Sequence, residues 1–333
     1  MDRNFGKIGI LVGGILFLLL LFFWQGIFLP KNGAKEKKLF SVKKGDSAFE
    51  IGKNLEEERL IKSRIFFDLY VVLTNKAEKL KAGSYYLSPS FSVKEIVQKI
   101  TRGETIKIKI TIPEGFRLSQ IEEKLSTSLS NLRVKDFKKE FSFLESVPDN
   151  ASLEGFLFPD TYYFSGEETD RQIVGKFLRN FDKQLKPDLR EEIKRQGKNI
   201  FEIIIMASLI EKEVRDDNDK ALVSGILWKR LKSRMPLQVD ATLVYICKNC
   251  KGLNFSQMRK KIGKMKIIDS PYNTYKHLGL PPTPICNPGL ESIEAAVYPK
   301  ESQYWYYFSS SDGKTFFSRT LFEHNLKKAR YLN

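Results

Sequence analysis

Histidine and cysteine are scarce in this chain, two of one and three of the other in 333 residues. His277 and His324 stand isolated, so no zinc-ligand spacing can be assembled from them. The pair Cys247 and Cys250 in CKNC has no second CxxC to complete it. It reads as half a zinc site, a local disulfide or a redox pair, and Cys286 reads as a small buried thiol rather than a nucleophile. A P-loop is missing, which leaves nucleotide hydrolysis without support, and so are domain-spanning repeats and low-complexity tracts. No metal and no cofactor are expected. Acidic residues are the minority, 40 against 56 basic, and the net charge of +16 favours anionic partners: nucleic acid, lipid head groups or an acidic envelope polymer. No nucleic-acid-binding module accompanies that charge, so nucleic acid is not expected as a partner. A hydrophobic share of 42% with 12% aromatics argues against a disordered chain, and the length allows two or three domains.

Long apolar runs are also few: there is one. After a short tail, residues 1–7, it covers residues 8–29, broken only by Gln25, with Trp24 near its end. That length can cross a hydrocarbon core of about 30 Å, so a single-pass anchor in the cytoplasmic membrane is predicted. A cleaved signal peptide fits less well, because the run is too long for an h-region and no small-residue cleavage site follows. Arg3 and Lys7 precede the span while Lys31, Lys35, Lys37 and Lys38 follow it. A positive-inside count therefore keeps the bulk of the chain in the cytoplasm.

Beyond a charged linker at 30–38, residues 39–104 give a strand at FSV, a turn at Lys44-Gly45-Asp46, two helical patterns, a strand at Gly83 to Leu87 and a helix from Ser92 to Thr101. This order resembles a LysM-like module, a fold that in other proteins binds N-acetylglucosamine-containing glycans; a plain α+β spacer is the alternative. TIKIKITI at 105–112 alternates as a strand with one wet face. RLSQIEEKLSTSL and KDFKKEFSFLESV read as amphipathic helices with solvated lysine faces. Towards the end come a helix at Leu290 to Ala296, strands in YWYYFSS and KTFFSRT, and a helix from near Leu321. The fold class is α+β, with residues 105–333 as the larger domain.

The stretch Phe201 to Arg215, FEIIIMASLIEKEVR, is apolar at nearly every turn and so predicts a helix buried on most of its circumference. Glu213 is its anomaly. At 3.6 residues per turn it stands in line with Leu209 and Met206, whereas Glu211 points to nearly the opposite side. A carboxyl on an apolar face pays desolvation when charged, so its pKa should rise towards the range of a general acid or base; the bland alternative is an ion pair at the helix end. EGFLFPDTYYF at 154–164 sets rings beside Glu154 and Asp160, which suits a glycan cleft, although aromatic-rich loops more often close the core. Two further segments read as loops: Met235 to Thr242, and residues 270–289, too rich in Pro and Gly for regular structure and long enough to be functional.

Together, EGFLFPDTY, ASLIEKE, RMPLQVDAT, SPYNTY, GLPPTPICNPG and HN at 324–325 resemble, in order and spacing over residues 105–330, the YceG-like family of membrane-anchored endolytic murein transglycosylases. The resemblance implies that Glu213 is catalytic and that Glu154, Gln238, Asp240, Tyr272, Asn273 and Thr274 bind substrate. It implies peptidoglycan glycan strands as substrate, peptidoglycan synthases as associates, and a catalytic domain on the extracytoplasmic side, against the lysine count. Thr283 and Ala241 depart from the family pattern, which has Gly and Pro there. Beside the lytic enzyme stand three alternatives: a hydrolase with Asp240 or Glu154 as second carboxylate, a non-catalytic glycan-binding scaffold, and a nucleic-acid binder held by charge.

Overall fold

A computed structural model describes residues 2–166, 168–250, 252–310 and 312–332, without the side chains of residues 2–12 and 255. The chain forms two compact units, one of residues 1–109 and 163–168, the other of 110–162 and 169–333. Helices predominate, with three two-stranded sheets among the described residues, so the class is α+β.

In the first unit, helix α1 runs Asp2–Phe28. Among the described residues no helix is long and apolar enough to cross a membrane. The side chains of residues 8–12, the start of the run read as an anchor, lie outside the described residues. The end of α1 packs on α3 (Arg64–Leu73), with Phe22 and Phe23 edge-on to Phe66 and Phe28 against Tyr70. Strand β1 (Lys38–Val42) pairs antiparallel with β2 (Gly83–Leu87), placing Phe40 opposite Tyr85, both buried. Between them lies α2 (Ala48–Glu57), and α4 (Val93–Arg102) follows. Both helices start in capping boxes, Ser47 with Glu50 and Ser92 with Glu95, which satisfy amide groups a first turn leaves open.

Strand β3 (Ile108–Ile112) pairs with β4 (Asp160–Phe164). In the second unit, α5 (Leu118–Leu125) forms as its sequence predicts. The helix predicted for KDFKKEFSFLESV does not form. Single 3-10 turns at Val134–Asp136 and Ser142–Leu144 replace it. The cause is tertiary: Phe137, Phe141, Phe143, Leu144 and Val147 are all buried, more than one helical face can present. The amides of Val134 and Lys135 also bond Ala151 O and Asp149 O.

Helices α6 (Asp170–Gln184) and α7 (Pro187–Arg195) lead to α8 (Ile200–Glu213), the axis of this unit. Every residue from Ile203 to Ile210 is buried, so α8 is enclosed on all sides, as its sequence predicts. Asn199 and Glu202 form its capping box, and it stops at Glu213 because Val214 is extended and Asp216 caps the next helix, α9 (Asp217–Lys232). A short helix, α10 (Asp240–Ile246), begins inside the segment read as a loop. Next come α11 (Phe255–Met265), α12 (Leu290–Val297), the hairpin of β5 (Tyr306–Ser309) with β6 (Thr315–Ser318), and α13 (Leu321–Tyr331). The segment between α11 and α12 is irregular, as expected, yet tied to the core: Ser208 Oγ accepts from Ile285 N at 3.1 Å. Cys247 and Cys250 are joined as a local disulfide, and Cys286 is buried and free.

Candidate active site

A cavity of about 500 Å³ opens in the second unit where the end of α8 meets α10, α11, β5 and α13. Glu213, the last residue of α8, stands in its wall, half-buried. Its Oε1 accepts the backbone N–H of Ala241 at 3.2 Å, and the phenol of Tyr307 donates to the same carboxyl. Burial, followed by the charge of Asp240, pushes its pKa up to about 7; the two hydrogen bonds oppose that rise. The backbone behind the carboxyl is also fixed, since Ser309 Oγ of β5 donates to Glu213 O at 3.0 Å.

Glu211 faces away from the cavity, as the helical period predicts. Its Oε2 takes Gly289 N at 3.1 Å and Ser292 Oγ at 2.7 Å, at the start of α12, with Lys220 Nζ at 3.8 Å. Two acids two residues apart thus do different work: one anchors α12, the other faces the cavity.

Gln238 and Asp240 also line the cavity, both exposed. Gln238 has φ +56, a left-handed backbone that turns the chain sharply before α10. Asp240 Oδ1 accepts from Tyr275 OH at 2.5 Å. The other four residues that the family resemblance assigns to substrate do not line the cavity. Asn273 and Thr274 are 0% and 2% exposed, and their polar atoms are spent on backbone. Asn273 Nδ2 donates to Lys266 O at 2.9 Å and Ile268 O at 2.7 Å, while Thr274 Oγ1 accepts from Val239 N at 2.9 Å. These two side chains shape the loops that carry Gln238, Asp240 and Tyr275. Tyr272 is half-buried, its hydroxyl 2.7 Å from Thr283 Oγ1, so the departure at Thr283 supplies it a partner.

Glu154 is 5% exposed and belongs to a buried polar knot. Its Oε1 accepts from Leu118 N at 2.9 Å and Asn287 Nδ2 at 3.2 Å. Asn287 Oδ1 in turn accepts from Gly155 N at 2.9 Å and Leu157 N at 2.8 Å, and its Nδ2 donates to Phe116 O at 2.9 Å. Desolvation lifts the Glu154 pKa to about 7 without bringing the group to the cavity. Most rings of EGFLFPDTYYF go with it: Phe156, Phe158, Tyr162 and Phe164 are buried and close the core, while Tyr163 is exposed.

Several cavity residues escape sequence reasoning. Tyr307, which bonds Glu213, sits in a strand whose pattern does not single it out, and Tyr275, which bonds Asp240, closes the SPYNTY motif but carries no predicted role. Arg230, 5% exposed, donates to Leu237 O at 2.9 Å and Trp305 O at 2.8 Å. His324 is kept neutral, its pKa depressed to about 4 by burial and by Lys328 and Arg230. Only the HN pair at 324–325, noted as a motif, signals it in advance.

Among the described residues, no cluster of His, Cys, Asp and Glu could hold a metal ion. The geometry offers one carboxyl poised near neutral pH, a second held by a phenol, and a wall rich in cations.

Comparison with known proteins agrees with the sequence motifs. An "Endolytic murein transglycosylase" of Bacillus subtilis is 32% identical over 311 residues, 88% of this chain and 84% of that protein. One of the same description from Streptococcus pneumoniae is 31% identical over 90% of this chain, which spans 60% of that longer protein. A crystal structure of a YceG-like protein from Listeria monocytogenes superposes with a TM-score of 0.54 at 33% identity, covering 89% of this chain and all of that one. Residues 40–330 match the YceG-like family as a whole, and the chain belongs to that family.

Proposed function

We infer that this protein is an endolytic peptidoglycan lytic transglycosylase, a non-hydrolytic lyase that cleaves the β-1,4 bond between N-acetylmuramic acid and N-acetylglucosamine and leaves 1,6-anhydro ends. The observation that carries this reading is Glu213, a carboxyl in the cavity wall whose pKa of about 7 leaves a large protonated fraction at neutral pH. The shared description of the relatives supports the same substrate. In the first step the Glu213 carboxyl gives its proton to the glycosidic oxygen as the bond to the muramic C1 breaks. In the second, the carboxylate takes the proton of the muramic C6 hydroxyl as that oxygen closes on C1. No water is consumed and the acid returns to its starting form. Asp240, held by Tyr275, lines the same cavity and is placed to favour positive charge developing at C1.

A muramidase-type hydrolase is the second reading, and Asp240 favours it, since such enzymes use two carboxylates. Glu154, buried in its knot, is no candidate for that second acid. Full-length protein in detergent, incubated with uncrosslinked glycan strands, separates the readings by product mass. Anhydro ends, lighter by one water, are expected; reducing ends would make the enzyme a hydrolase. Strands bound but uncut would make it a scaffold. Glu213→Gln should lower the rate by about 10³-fold or more, the scale of a lost general acid, and unchanged cleavage would remove Glu213 from the mechanism.

The setting belongs to the same proposal. A single-pass anchor at residues 8–29 is supported by exposed apolar side chains on α1, Leu18 at 65% and Leu20 at 63% among them. It would hold the catalytic unit outside the cytoplasmic membrane, beside newly made glycan and the peptidoglycan synthases. A LysM-like role for residues 39–104 is supported by the order β1, α2, α3, β2 and the antiparallel pairing of its strands.

A further inference from the structure

The cavity wall made by α11 and α13 carries Arg259, Lys266 and Lys328. No salt bridge joins any of the three to a carboxylate among the described residues, and the acids nearby are engaged elsewhere. Asp240 takes the Tyr275 hydroxyl, Asp269 pairs with His277 at 3.0 Å, and Glu323 pairs with Lys327 at 2.6 Å. Arg259 Nη1 donates to Leu332 O at 2.7 Å, which ties α11 to α13, and Lys266 Nζ lies 4.2 Å over the Tyr275 ring. Lys328 is half-buried, and its pKa is lowered by burial and by the charges of Lys266 and Arg259, with Asp240 acting the other way. In the same wall His324 keeps Nδ1 buried with no hydrogen-bond partner. Arg259 is exposed at the rim, while Lys266 and Lys328 are half-buried, and like charges gathered on one concave wall cost the free protein energy that an arriving anion returns.

We propose that Arg259, Lys266 and Lys328 form an anion subsite of this cavity, which takes a carboxylate carried by the glycan strand. This rests on the reading above and extends it. A muramic residue ends in a lactyl carboxylate when bare, and its stem peptide supplies carboxylates when it is substituted. The shared chemistry is a carboxylate displaced from the bond that breaks, so the subsite acts on binding and register rather than on proton transfer.

The test compares full-length protein in detergent with the same protein carrying Arg259→Gln, Lys266→Gln and Lys328→Gln together. Substrates are bare strands, peptide-bearing strands, and both with their carboxylates converted to neutral amides. On carboxylate-bearing strands KM should rise about tenfold with kcat held within about twofold, and on amidated strands neither should change. Whichever charged form shows the effect identifies the source of the carboxylate. An equal loss on charged and amidated strands, or no loss on any, overturns the proposal. Lys328→Arg, which keeps the charge, should retain the low KM and so separates lost charge from a damaged fold. Binding of the same strands to Glu213→Gln, with and without the triple change, needs no turnover. About tenfold weaker binding of charged strands there supports the subsite even if the wild type yields no anhydro ends, and equal binding refutes it.

Discussion

The proton on Glu213 is set by three neighbours whose effects have opposite signs. Tyr307 and Ala241 donate to the carboxyl and lower its pKa, while burial and Asp240 raise it to about 7. Because the acid must be protonated to begin, kcat/KM should fall with unit slope above about pH 7. Tyr307→Phe removes a donor that favours the charged form, so its alkaline limb should move to higher pH. Asp240→Asn removes a like charge, and its limb should move lower. A pH series of kcat/KM for the two variants reads both shifts; movement in the same direction would contradict this electrostatic picture. At this scale the sequence was partly legible. Helical periodicity alone separates Glu213 from Glu211, because two residues along a helix turn a side chain to nearly the other face. Tyr307 was not legible, since contact between β5 and the end of α8 is long-range and leaves no local pattern; Tyr275 stands in the SPYNTY motif, but its bond to Asp240 joins residues 35 apart and was not foreseen.

Among the elements, the irregular segment before α12 is held by specific polar bonds rather than by regular structure. Asn287 links it to residues 115–118 and 154–157 through both ends of one amide. Asn287→Ala would strand two buried N–H groups and leave the Glu154 carboxyl with Leu118 N alone, at a cost of about 3 kcal/mol or more. Denaturant unfolding should show this as a lower midpoint with an unchanged slope. Strands β2 and β5, the ends of α4 and α8, and the irregular path of residues 270–289 follow patterns visible in the chain. The stretch 134–147 does not, because its phenylalanines satisfy a helical pattern and the core takes them from several directions. Nor could sequence say that Asn273, Thr274 and Glu154 are buried and outside the cavity lining. A motif records that a residue type is required, and buried polar joints are required as strictly as contacts with substrate.

For the whole molecule, Glu154 makes stability depend on pH. Its pKa rises from 4.5 to about 7 on folding, so the stabilising, protonated form is complete below about pH 4.5 and is lost as pH rises through 7. By pH 8 the difference amounts to about 3 kcal/mol, and thermal unfolding should show Tm declining over that window. Glu154→Gln should remove only its own share of the decline, because the amide oxygen can still accept from Leu118 N and Asn287 Nδ2 while Glu213, raised likewise to about 7, keeps the rest. A wild-type Tm that climbs from pH 5 to 8 would contradict the assignment.

The last turn of α8 is clamped on three sides: Glu211 to the start of α12, Lys212 Nζ to Gly115 O at 3.3 Å, and Glu213 O to Ser309. A main chain gripped this way cannot slide forward to make up for a shorter side chain. Aspartate at position 213 would keep the acid but hold it one methylene back from the bond to be broken, so reach, and not acidity alone, is what the glutamate contributes.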